Sequence, residues 1–170
     1  MRLSMYGMTL IELVLVVALI GIGILAAAPS FNSIVSKNQT TTQINELVIA
    51  INLARSEASK VSGVVSLQAT NTIDNTIDNI IDNNNEFGNG WCVVVGNPGD
   101  CNGDIIRSFP APLGVDAINS ESDSLQFNAF GAMHDNSTRT FIFCAPGKDR
   151  LITITPVGRS KIDNVAPGDC

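Results

Sequence analysis

The stretch Gly7-Met8-Thr9-Leu10-Ile11-Glu12, followed by the uncharged run Leu13 to Ala28 (LVLVVALIGIGILAAA), decides how the rest of the chain is read. Extended by Thr9 to Ile11 in front and by Phe31, Ile34 and Val35 behind, the run reaches the roughly 20 residues that cross a bilayer as helix. In a bilayer the backbone must bond to itself, so such a segment is helical. Glu12 stands at its mouth, and an ionisable group there calls for a partner. The nearest candidate is an α-amine at Met8, which exists only if the chain is cut after Gly7. Two plainer readings compete. A secretory signal would use Arg2 as its positive end and Ala26-Ala27-Ala28 as its cleavage site. The length of the run, Glu12 at its start and Pro29 after the cut speak against that. A plain signal anchor would leave Glu12 without a role.

Beyond Pro29 the pattern turns amphipathic. Ile44, Leu47, Val48, Ile51, Ala54, Ala58 and Val61 recur at spacings of mostly three and four, which marks one buried helix face. Asn45, Glu46, Asn52, Arg55 and Lys60 are assigned to the other face. One helix is therefore expected from about Thr9 to Lys60, and Gly63 is expected to end it. Gly21, Gly23 and Pro29 soften its apolar half.

The G-M-T-L-I-E motif and the apolar helix behind it resemble the N-terminus of type IV pilins and of the pseudopilins of type II secretion. The resemblance implies cleavage after Gly7 and N-methylation of Met8 by a prepilin peptidase/N-methyltransferase. It also implies that Glu12, as fifth mature residue, pairs in the filament with the Met8 amine of a neighbour. A carboxylate left unpaired in a dry helix bundle is costly, and a paired one fixes register. Met8 stands where the family most often has Phe. The run Asn52-Leu53-Ala54-Arg55-Ser56-Glu57-Ala58, reached through Thr41-Thr42-Gln43 and Asn45-Glu46-Leu47, is similar to the helix of the GspH/FimT family of minor pilins. Gly90-Trp91, Phe141-Ile142-Phe143-Cys144, Arg150 to Thr155 and Gly158-Arg159 match that family in outline.

The remainder reads as β. Strands are expected at Val64–Ala69, Trp91–Val95, Ile105–Arg107, Leu125–Phe127, Thr140–Phe143 and Leu151–Thr155, with turns at Gly96 to Asp100, Gly131, Pro146-Gly147 and Gly158. Asn71 to Asn85 is a low-complexity stretch built on the unit T-I-D-N, read as an inserted loop. The four cysteines, downstream of a membrane segment, suggest disulfides in an oxidising compartment. A hairpin from Trp91 to Arg107 would bring Cys92 and Cys101 together and leave Cys144 to bond Cys170. Three connectivities are open to four cysteines, and the spacing alone does not choose among them.

The chain of 170 residues carries a net charge of −6, a poor basis for nonspecific nucleic-acid binding. It has a single histidine, His134, placed in a polar turn, and that leaves neither a catalytic triad nor a metal site a partner. Asp100 to Asp104 alternates oxygen ligands like the start of a calcium loop. Ile105 stands where its turn glycine belongs, and Ala111 where its bidentate glutamate belongs. The chain lacks a phosphate-cradling glycine loop and a C-x-x-C redox pair, so no enzyme, cofactor or metal is expected. Some members of the resembled family carry a G-R-x-R element near the C-terminus that contacts DNA. Here the element is Gly158-Arg159-Ser160-Lys161, and Lys161 reduces a bidentate phosphate contact to a point charge. The plainer reading is a solvated turn between two edge strands, favoured by the nearby Asp163 and Asp169.

The expectation is an α+β, pilin-like chain. Residues 1–7 are the leader, and 8–62 the long helix, with about 9–30 transmembrane and the rest amphipathic. Residues 63–170 form a periplasmic antiparallel β-rich domain with the loop 71–85. The resemblance implies a minor pilin of the inner membrane, added to a pilus near its tip. Its partners would be major and minor pilins and, through Arg159 and Lys161, DNA. The alternatives are pseudopilin H of a type II secretion system and, second, a DNA-capturing module of the uptake machinery.

Overall fold

Thr9 opens the first element. Its Oγ1 accepts from the Glu12 N–H at 3.4 Å, and its carbonyl accepts from Leu13 at 3.2 Å, so Thr9 is the N-cap of helix α1, Leu10–Val61. The computed structural model describes residues 9–70, 86–96, 99, 101–145 and 149–165; inside α1 the side chains of 24–33 and 36 fall outside that description. Arg2, Gly7, Met8, the 71–85 repeat, Asp100, Asp169 and Cys170 lie outside the described residues.

The chain divides into two compact units, Met1–Val35 and Ser36–Cys170. In the first, every Leu, Ile and Val from Leu10 to Ile22 is at least 39% exposed. Among the described residues no helix is long and apolar enough to cross a membrane. The apolar run whose side chains are described, Leu10 to Gly23, falls short of the roughly 20 residues such a crossing takes.

In the second unit, α1 buries Ile44, Leu47, Ala50, Ile51, Ala54 and Ala58 in one core. The expected helix face is found, with two exceptions. Val48 is half-buried, and Val61, in the last turn, is 46% exposed. The helix stops at Ser62, which takes the left-handed conformation (φ 49°), while the Gly63 N–H bonds back to the Ala58 carbonyl at 3.2 Å. That is a Schellman-type ending, with serine rather than Gly63 in the strained position.

Among the described residues eight strands follow: β1 Val65–Ala69, β2 Trp91–Val95, β3 Ile105–Phe109, β4 Ala117–Ser120, β5 Ser124–Phe127, β6 Arg139–Cys144, β7 Arg150–Ile154 and β8 Ser160–Asn164. They form two antiparallel sheets, ordered β3-β2-β1-β5 and β4-β6-β7-β8. One core cluster joins the helix to both. It takes Val65, Leu67, Val93 and Leu125 from the first sheet and Ile118, Phe141, Phe143, Ile152 and Ile154 from the second. A 3-10 turn, Glu86–Asn89, drops Phe87 between the sheets, edge-on to Phe141 with ring centroids 4.9 Å apart. Trp91 stacks on Phe109 at 5.9 Å.

Gly90 precedes Trp91 for a steric reason. Its φ is +101°, and a Cβ there would meet the Phe109 carbonyl oxygen at 2.5 Å. The six strands expected from sequence are all present, and β4 and β8 are additional. Residues 155–159 therefore join the interior strand β7 to the edge strand β8, rather than two edge strands.

Candidate functional site

At the helix start, Glu12 is exposed, and its backbone N–H is the group that Thr9 caps. Thr9-Leu10-Ile11-Glu12 reads as the first half of a capping box, a signal in the sequence that pairing arguments pass over. A carboxylate in this first turn is also favoured by the helix dipole. Gly7 and Met8, the expected processing residues, lie outside the described residues.

At the other end of α1 the organising residue is Arg55. It is half-buried, not solvent-facing. Its Nε–H donates to the Gly131 carbonyl at 2.8 Å and its Nη2 to the Val157 carbonyl at 3.4 Å. Arg55 thus ties the turn after β5 to the turn between β7 and β8. The helical spacing held the clue: Arg55 lies four residues after Ile51 and three before Ala58, both fully buried.

The two turns also touch directly. The Met133 N–H donates to the Pro156 carbonyl at 2.9 Å. Gly158 has φ +78°, and a Cβ on it would lie 2.3 Å from the Gly131 oxygen and 2.7 Å from Arg55 Nε. Only glycine fits there, because backbone and guanidinium fill the space a side chain would need. The L-A-R-S-E-A stretch and the Gly158-Arg159 element, separate in sequence, meet at this point.

Around it the turns are closed by local bonds. Asn128 Oδ1 accepts from Phe130 and Ala132 at 2.9 and 3.2 Å, and the Asn128 carbonyl accepts from Gly131 at 2.8 Å. Thr155 holds Arg159 through backbone and hydroxyl. Phe130, at the tip of the first turn, is 92% exposed, and Val157, at the tip of the second, is 60% exposed.

The two expected DNA-contacting cations differ. Arg159 is exposed and makes no ion pair among the described residues. Lys161 is paired with Asp163 at 2.9 Å in an exposed ion pair. Nearby, Asp135 accepts from the Ser137 hydroxyl and from Arg139, each at 2.6 Å. The Ser137 hydrogen bond, more than the Arg139 charge, holds the Asp135 carboxyl below its ordinary range. His134 is exposed beside them, in the polar turn expected for it.

Cys92 and Cys101 are joined, with Cα atoms 5.9 Å apart. The bond lies against β1, where Cys101 Sγ is 3.8 Å from the Ala69 carbonyl and 3.7 Å from Thr70 Oγ1. Cys144 is buried in β6 and has no free thiol, and its expected partner Cys170 lies outside the described residues.

The model of the Type II transport protein GspH family matches residues 43–158. That span holds Arg55, Gly90, Gly131 and Gly158, so the matched sequence includes the helix clamp just described. No curated protein sequence matches the chain. Among solved structures, the chain is similar to the type IV minor pilin FimU of Pseudomonas aeruginosa (strain PAO1). In a P21 crystal form of FimU the identity is 23%, covering 75% of this chain and 90% of that one, with a TM-score of 0.59. In a P65 form the identity is 22%, with coverage of 72% and 91% and a TM-score of 0.54. At this identity the likeness speaks to the fold: a helix packed on antiparallel sheets. The chain belongs to the Type II transport protein GspH family.

Proposed function

We propose that this chain is a minor pilin, cleaved after Gly7 and N-methylated at Met8, that joins a type IV pilus at low copy near its tip. Residues about 9–30 hold it in the inner membrane before assembly, with the 63–170 domain in the periplasm. The observation that carries this reading is the bare apolar helix: from Leu10 to Ile22 no large apolar side chain is less than 39% exposed. A helix apolar on all sides needs a cover, which a bilayer supplies first and neighbouring helices later. Once the helix is among its neighbours, Glu12 pairs with the Met8 amine of the adjacent subunit and sets the register. The likeness to FimU supports a pilus setting. The second reading, a pseudopilin of type II secretion, is supported by the family description itself. A role in DNA uptake rests on exposed Arg159 alone, since Asp163 holds Lys161.

The experiment is Glu12→Ala in the full-length chain, in cells that carry the filament machinery. The variant is expected to insert and to be cleaved like wild type. Its amount in the filament fraction falls by about tenfold, because the Met8 amines of its neighbours lose their partner. Normal incorporation would remove the pairing role.

A further inference from the structure

We propose that Phe130 and Val157, with Arg159 beside them, form a preformed knob that docks into an adjacent filament subunit, at an apolar hollow with a carboxylate on its rim. The proposal rests on the filament reading above, because it takes the partner to be another pilin-like globular domain.

Phe130 is more exposed than any other large apolar residue among those described, at 92%. Its position owes nothing to the core. The turn is closed by Asn128, which accepts three backbone N–H groups, and Gly131 follows against Arg55. A polar residue at 130 would complete the same turn. A rigid aromatic held out into solvent has the character of the residues that dominate protein–protein interfaces.

Val157 caps the neighbouring turn, and the two turns are fastened to each other through Met133 to Pro156 and through Arg55 to both. Because the knob is already fixed, docking it costs little loop ordering. The charge beside it selects the kind of partner. Arg139 pairs with Asp135 and Lys161 with Asp163, whereas Arg159, next to Gly158, is exposed and has no ion pair among the described residues. An exposed arginine beside two apolar tips suits a protein surface with an apolar hollow and an acid at its rim. Nucleic acid would call for several open cations along one track.

The test places a photo-crosslinking p-benzoylphenylalanine at 130 in the full chain, in cells that assemble the filament. An ultraviolet-dependent adduct with another pilin-like subunit, identified by mass spectrometry, is expected. Phe130→Ser is expected to keep the wild-type melting temperature, since the side chain is exposed, and to lower the amount in sheared filaments by about tenfold. Wild-type levels of Phe130→Ser in filaments, with no adduct at 130, would overturn the knob while leaving the filament reading standing. An adduct with DNA instead of protein would overturn it in favour of a nucleic-acid surface. Absence of the wild-type chain from filaments would overturn both.

Discussion

Gly158 illustrates how much hangs on single positions in this domain. It combines a left-handed backbone with a carbonyl oxygen where its Cβ would be. Gly158→Ala must therefore move the turn away from Gly131 or break the Arg55 bonds. We expect a loss of about 2–4 kcal/mol, read as a lowered midpoint in urea unfolding with an unchanged slope. The half-buried Gly96, which also has a positive φ but nothing within 4 Å of its Cβ position, serves as the comparison, and Gly96→Ala is expected to cost less. Gly158 was legible in the sequence as a turn, but the reason it must be glycine was not. That reason is a contact with residues more than 20 and 100 positions away. Arg55 departs from the expected face for a related cause: charge suggests solvent, while its place on the helix sets it between buried Ile51 and Ala58. Its guanidinium finds carbonyls at the edge of the core, so the arginine stem is half-buried and its charge is still satisfied.

Among the elements, those with a periodic apolar face were legible and those without one were not. Helix α1 and strands β2, β6 and β7 carry runs such as Trp91 to Val95 whose side chains enter the core, and their bounds fall within one residue of expectation. The strands β4 (Ala-Ile-Asn-Ser) and β8 (Ser-Lys-Ile-Asp-Asn) are edges of the second sheet. An edge strand is held on one side only and can be polar, so alternation does not mark it. The β2–β3 hairpin was read correctly from its turn. Its register shifts between Val93 and Val94, and Cys101 lies over Cys92 and β1. The disulfide closes a short loop, so replacing both cysteines by serine is expected to cost about 2–3 kcal/mol. The measurement is a urea midpoint of the double variant against oxidised wild type. An unchanged midpoint would mean that β1 and β2 hold the loop without the covalent link.

At the scale of the whole molecule, the two units present contrasting surfaces. Ser36–Cys170 closes its own core, with helix, Phe87 and both sheets contributing fully buried side chains. The helix in Met1–Val35 leaves its apolar side chains uncovered from Leu10 to Ile22. We propose that such a chain is completed by its surroundings, a reading that rests on the composition of this segment. The surfaces that select particular neighbours were not legible, because Phe130 and Val157 become one feature only when two distant turns are fastened together. That the surroundings are other filament subunits can be checked by blotting for this protein in filaments sheared from cells, beside the membrane fraction. The chain, shortened by its leader, is expected to co-purify with the surface pili. Its retention in the membrane while the major pilin shears away would contradict the pilus assignment and favour the secretion pseudopilus.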